Sequence, residues 1–193
     1  MNKKVNIAID AMGGENSPKK IIKGIDISLH TNKNNFFFLY GKKKLLEKEL
    51  NQYKLVKSFS KIIPAEDEIF DDESPLAAAK KSKESSMWKA IESQKKGETD
   101  ISLSAGNTGA LLIISRLILN TIEGIDRPAL GALWPNDKNM SVVLDLGANI
   151  ECNEKNLSDF ASMGSALFKS LYASKPKIAL LNVGLEEHKG NEI

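Results

Sequence analysis

The chain has 193 residues, 41% apolar and 27% charged, with 27 basic and 25 acidic side chains and a formal net charge of +2. That length and apolar content suit one large domain, or a piece of a larger one, with a substantial core, and the near-balance of charge lacks the basic excess of a nucleic-acid binder. A single cysteine, Cys152, excludes an intrachain disulfide and leaves too few thiolates for a zinc cluster.

Residues 1–4 lead directly into a strand-like segment, with no secretory apolar region. Val5 to Ile9 reads as a buried strand, followed by the turn Asp10-Ala11-Met12-Gly13-Gly14. Ser17-Pro18 predicts a helix start, Ser as cap and Pro in the first turn. Ile21, Ile22, Ile25 and Leu29 then share one helical face. Phe36 to Tyr40 is a second strand, closed by Gly41; Lys42 to Leu50 reads as an exposed helix and Lys61 to Pro64 as a short strand. Residues 65–73 are acidic and irregular, and Ser74-Pro75 opens another helix.

A helix over Ser85 to Lys96 turns Met87, Trp88 and Ile91 inward. Ile101 to Leu103 is a strand, and the turn Ser104-Ala105-Gly106-Asn107-Thr108-Gly109 leads into an apolar helix to about Leu119. That run carries Arg116 and is too short to span a bilayer. Ala129 to Trp134 and Ser141 to Leu144 are strands whose connector, residues 135–139, reads as a tight hairpin, the one place where the alternation of strand and helix breaks. Asp145-Leu146-Gly147-Ala148-Asn149 precedes a helix expected to be capped by Asn156, with Leu157, Phe160, Ala161, Gly164, Leu167, Phe168 and Leu171 on its apolar face. Lys177 to Leu181 is read as a last strand, ending in Asn182-Val183-Gly184. Alternating strands and helices imply an α/β fold with a mostly parallel sheet, in one domain over residues 1–193 that stops short of a closing helix.

Four apolar strands thus end in small polar turns, and in a parallel sheet such ends share one edge, where ligands bind. Glycine admits close backbone approach, and a helix starting after a turn aims free N–H groups at an anion. The backbones of Gly13, Gly14, Gly106, Gly109 and Gly147, with Ser104 and Thr108, are the candidate anion-binding set; Asn107 and Asn149 are the candidate catalytic donors, and Asp10 and Asp145 orient donors or meet ligand amides. Arg127, one of two arginines in a lysine-rich chain, is read either as an anion ligand or as a structural ion pair. None of the glycine turns fits the P-loop or dinucleotide pattern. Cys152, His30 and His188 read as incidental, Trp88 and Trp134 as core, Ser85 and Ser86 as helix caps, and Lys42 to Lys44, Lys80 and Lys81 as a solvated face.

The order of these motifs resembles the phosphate acyltransferase family of bacterial phospholipid synthesis. The likeness rests on Asp10-Ala11-Met12-Gly13-Gly14 with Pro18 downstream, Ser85-Ser86-Met87, the segment from Ser104 to Leu111, and Gly124-Ile125-Asp126-Arg127-Pro128-Ala129. It continues through Asp145 to Asn149, Phe160 to Gly164, and Leu180 to Gly184 with Lys189-Gly190-Asn191, covering essentially the whole chain. Glu15 stands where the family usually has Asp, and Lys80 and Lys81 lie in a stretch that usually holds an arginine. The family continues beyond Ile193, so the resemblance implies an N-terminal part. It implies a three-layer αβα fold like that of isocitrate and isopropylmalate dehydrogenases, a homodimer, and transfer of an acyl group from acyl carrier protein to inorganic phosphate with no cofactor and no metal. It further implies a cytoplasmic place, membrane contact only through residues past Ile193, and a membrane acyltransferase that takes the acyl phosphate. Two other readings stand beside it: an isopropylmalate-dehydrogenase-like oxidoreductase using a nicotinamide and a divalent metal, and a non-catalytic remnant that binds acyl carrier protein.

Overall fold

The computed structural model describes residues 4–81, 83–137, 139–182 and 184. The chain divides at Asn120 into two units. In the first, β1 (Val5–Asp10), β2 (Asn35–Gly41), β3 (Ser60–Pro64) and β4 (Ile101–Leu103) form a sheet of order β3-β2-β1-β4. All three pairings are parallel, with Ile7 opposite both Phe37 and Ile101. The connections are helical: α1 (Lys19–Thr31), then α2 (Lys43–Leu50) and α3 (Lys54–Ser58), then α4 (Pro75–Lys81) and α5 (Ser86–Lys95). The helix α6 (Thr108–Leu119) follows β4.

Side chains of successive strand residues point to opposite faces, and the sequence uses both. Ile7 and Ile9 of β1, with Phe37 and Leu39 of β2, meet Ile22, Ile25 and Leu29 of α1. Leu46 and Leu50 of α2 and Val56 of α3 complete that cluster. Each such side chain contributes roughly 1.5–3 kcal/mol on burial. On the other face the small Ala8 meets Tyr40 and Ala90, so α5 lies close on the sheet. Behind it Met87 and Ile91 of α5 pack with Ala110 and Ile114 of α6 and Ala78 and Ala79 of α4. Helices therefore cover both faces of a parallel sheet, as the α/β expectation holds.

Local details depart from the sequence reading. Ser17 does not cap α1; Pro18 takes the cap position, and Ser17 Oγ donates instead to Gly13 O at 2.6 Å. The helix over residues 43–50 is half-buried rather than exposed, because Leu46 and Leu50 fall four apart on its inner side.

In the second unit β5 (Ala132–Pro135) and β6 (Met140–Val143) form an antiparallel hairpin. Its turn is closed by Asn136 N to Asn139 O and by Asn139 N to Asn136 Oδ1, both 2.8 Å. The helix α7 (Glu154–Tyr172) lies on β6, where Gly164 leaves room for Leu144. Asn153, not Asn156, caps α7: its side chain accepts from Asn156 N, and Asn156 Oδ1 accepts from Asn153 N in return. That reciprocal box needs a short polar side chain at both positions, and the reading assigned the cap to the wrong one. Trp134, expected in the core, is 58% exposed, because it lies on a two-stranded hairpin with one face open. The expected strand Lys177–Leu181 is not formed: no described strand pairs with it, and Leu181 is 89% exposed. Among the described residues no helix is long and apolar enough to cross a membrane.

Candidate functional site

Parallel pairing of β1 with β4 brings the turns that follow them side by side. Asp10 ends β1, and Ser104 follows β4 one residue beyond the Ile9–Leu103 pair. Asp10 is 2% exposed, on the sheet face that carries Ala8. Its Oδ1 accepts from Met12 N at 3.3 Å, Gly13 N at 3.1 Å and Ser86 Oγ at 2.5 Å. Its Oδ2 accepts from Ser104 Oγ at 2.7 Å, and Ser104 Oγ accepts in turn from Gly106 N at 3.1 Å. One carboxylate therefore ties the first glycine turn, the second glycine turn and the first residue of α5. Burial pushes this carboxyl above its ordinary value, against the four hydrogen bonds that pull it down.

The two turns touch through their glycines. A Cβ on Gly106 would sit 3.0 Å from Gly13 Cα, and one on Gly14 would collide with Ala105 O. Gly14 also has φ of +83°, which L side chains rarely adopt. Beside Gly14 a cleft of about 240 Å3 opens between Glu15–Ser17 and Glu68–Asp71. A larger space of about 530 Å3 lies elsewhere, over Phe38 and Tyr40 of β2 and Lys61 and Ile63 of β3.

Asn107 caps α6, its Oδ1 accepting from Ala110 N at 2.9 Å. Its Nδ2 donates to Glu73 O at 2.9 Å, and more weakly to Asp71 O at 3.3 Å and Phe70 O at 3.4 Å. Both ends of this side chain are thus engaged by the protein, and they hold the acidic loop to the tip of α6. The donors left at that tip are the backbone amides of Thr108 and Gly109, which precede the first intrahelical bond, Leu111 N to Asn107 O. Gly109 itself makes room for Pro75, whose Cγ would lie 2.6 Å from an added Cβ.

The remaining candidates belong to the second unit, where the turn Asp145–Asn149 follows a strand of the antiparallel hairpin. The expectation that it ends a strand of the parallel sheet is therefore corrected. Asp145 Oδ1 accepts from Leu130 N at 2.7 Å, and Oδ2 from Asn149 N at 2.7 Å and Asn149 Nδ2 at 3.0 Å. The same Nδ2 donates to Pro128 O at 2.9 Å, and Gly147 has φ of +91°. Arg127 donates through Nη1 to Glu151 O at 2.8 Å, a backbone partner that neither sequence reading foresaw. Residues 183 and 185–193, with His188 and the Lys189-Gly190-Asn191 motif, lie outside the described residues.

Ser86 is the residue that sequence reasoning missed. Ser85 is the cap of α5, accepting from Trp88 N at 3.2 Å, while Ser86 Oγ turns to Asp10. The available signal was a second serine directly after the cap, at a position where no capping duty remains. Lys42 pairs with Glu68 at 2.7 Å, while Lys80 is exposed. His30 Nδ1 sits 2.7 Å from Asp26 O within its own helix, and Cys152 is a free, half-buried thiol.

A parallel α/β sheet with abutting polar turns and a helix tip at its carboxyl edge defines the class of α/β proteins that bind small ligands at strand ends. Within that class, the chain belongs to the family described as "Fatty acid synthesis protein", whose profile it matches over residues 5–193. It is similar to the phosphate acyltransferase of Pelagibacter ubique, 58% identical over the whole chain and 57% of that relative. It is also similar to the phosphate acyltransferases of Rhodopseudomonas palustris and Nitrobacter hamburgensis, each 43% identical over the whole chain and 55% of the relative. The chain therefore spans somewhat over half the length of the curated relatives it matches.

Proposed function

We propose that this chain is part of a phosphate acyltransferase that moves a fatty acyl group from acyl carrier protein to inorganic phosphate in phospholipid synthesis. The observation that carries the reading is 58% identity, over every residue of the chain, to a relative named for that activity. The abutting glycine turns support it, because they offer backbone donors at a strand edge. A phosphate oxygen attacks the thioester carbonyl, the carbon–sulfur bond breaks, and the thiolate leaves with the proton that phosphate gives up. The products are acyl phosphate and free carrier protein. Phosphate is itself the nucleophile, so the enzyme's task is to hold it beside the thioester and offset charge on the carbonyl oxygen. The amides of Thr108 and Gly109 and that of Gly14 suit the first task, while Gly13 N is held by Asp10.

In the first unit the proposal takes Asn107 as a catalytic donor, with Asp10, Ser104 and Gly106 shaping the phosphate site; in the second unit it takes Asn149 and Arg127 as further catalytic donors, with Asp145 and Gly147 shaping their turn. In the present conformation Asn107 and Asn149 hold loops in place, so donation to substrate requires each to exchange a backbone acceptor for the ligand. The proposal also includes one catalytic domain over residues 1–193 of the dehydrogenase-like three-layer form, a homodimer in the cytoplasm, and a membrane acyltransferase that consumes the acyl phosphate. The test is phosphate-dependent release of free carrier-protein thiol from acyl carrier protein by the full-length protein. Release that is independent of phosphate, or absent with every chain length of acyl group, overturns the reading.

A further inference from the structure

A serine hydroxyl has one proton to give and two lone pairs to receive. At Ser104 the proton is spoken for, directed to Asp10 Oδ2 at 2.7 Å, and one lone pair takes Gly106 N at 3.1 Å. The proton has little freedom to turn away. The three other donors to Asp10, from Met12, Gly13 and Ser86, all reach Oδ1, so Ser104 is the donor that satisfies Oδ2. Leaving a buried acceptor unsatisfied is costly. Burial disfavours the ionised carboxylate and the four donors favour it, and it is in that ionised state that Ser104 must give its proton to Oδ2. Among the described residues no second donor reaches Ser104 Oγ. Half-buried between the two glycine turns, this hydroxyl would therefore offer a ligand that reached it one acceptor site and no proton.

The geometry points to a specificity device: Asp10 fixes Ser104 as an acceptor, and Ser104 thereby selects an oxyanion that still carries a proton. The inference rests on the proposed phosphate site and names what that site distinguishes. Monohydrogen phosphate and sulfate are both tetrahedral dianions, and backbone amides and helix tips attract the two alike. Only phosphate brings a P–O–H to donate to Ser104 Oγ. Sulfate would place an oxygen lone pair against the serine lone pair, with no compensating bond. Ser104 acts on binding by contact with the anion, and Asp10 is a positioning residue that acts through Ser104.

The experiment is calorimetric titration of the full-length protein with inorganic phosphate and, separately, with sulfate, at about pH 8, where phosphate is chiefly the monohydrogen dianion. The wild-type protein should prefer phosphate by about tenfold to a hundredfold, the range of one hydrogen bond into a charged network. Ser104→Ala should lose that preference by weakening phosphate while sulfate binds as well as before or better. Asp10→Asn presents an amide N–H to Ser104, which frees the serine proton to turn outward, so its sulfate affinity should rise. A loss of both anions in parallel in Ser104→Ala, at an unchanged melting temperature, would show Ser104 to be a donor or a spacer and overturn the inference. So would equal wild-type affinity for the two anions, with the phosphate site itself intact. If wild type binds neither, the phosphate site fails and the inference falls with it. Should Asp10→Asn not fold, Ser104→Ala decides the matter alone.

Discussion

Replacing Asn107 by alanine removes two separate interactions, and their sizes can be worked out. The first is the α6 cap, Asn107 Oδ1 to Ala110 N at 2.9 Å. Losing a side-chain cap costs about 1 kcal/mol. The second is the clamp from Nδ2 to the 70–73 loop, where one bond, to Glu73 O at 2.9 Å, is well formed. A net hydrogen bond of that kind contributes about 1 kcal/mol. We predict a loss of about 2 kcal/mol for Asn107→Ala, and recovery of about half of it in Asn107→Ser, which keeps the cap but cannot reach the loop. For a unit that ends at Asn120 this corresponds to a melting temperature lower by roughly 8 °C for alanine and 4 °C for serine. Circular-dichroism melts of the full-length variants give the two numbers. Equal stability of the alanine and serine variants would refute the capping assignment, and a loss below about 0.5 kcal/mol for alanine would refute the clamp as well. Turnover adds an independent reading. If Asn107 also donates to substrate, both variants should lose about 100-fold in rate, although their stabilities differ.

Three further outcomes are expected. Burial raises the Asp10 carboxyl above its unfolded value, so the folded state binds its proton more tightly and stability from this group falls as pH rises through the folded value. Urea midpoints measured across the acid range should therefore decline less with pH in Asp10→Asn than in wild type, and parallel curves would contradict the assignment. Gly14→Ala should cost about 2 kcal/mol or more, from φ of +83° together with the Ala105 carbonyl, whereas Gly97→Ala, at φ of +73° in open space, should cost about 1 kcal/mol. Chemical denaturation of both variants checks the difference, and equal costs would show that the turns do not abut. Asn153→Ala should cost about 1 kcal/mol by opening the α7 capping box, read from the same denaturation assay, with no loss pointing to a helix held by packing alone.

The periodic segments were legible because the sheet and helix patterns are regular. Ile22, Ile25 and Leu29 fall on one face, and Val5 to Asp10 alternates large and small residues for its two covered faces. The hairpin at residues 135–139 was legible from its turn residues. What the sequence did not disclose is where polar side chains turn among several partners within reach. Ser17, Ser86, Asn153 and Asn156 each stand near a helix start, and the outcome hangs on hydrogen-bond geometry that periodicity does not encode. Asn107 was singled out as a donor to ligand, yet its acceptors are carbonyls 34 to 37 residues away in an irregular loop. The Lys177–Leu181 expectation failed for another reason: an apolar run becomes a strand only when another strand pairs with it.

The sheet order also fixes when the candidate site comes into being. β1 meets β2 about 30 residues on, and β2 meets β3 about 23 on, with α1 to α3 packed between. The hydrogen bond between Ser104 and Asp10 joins residues 94 apart. Closing a long loop costs more entropy than closing a short one, and distant pairings form later. The three strands β1 to β3 and their helices should therefore gain amide protection early in a pulse-labelling experiment, and the three residues of β4 last. Among the described residues β4 is three residues long and pairs on one side only, so its amides should also exchange before those of β1 and β2 in the native state, and the two glycine turns should part before the core does.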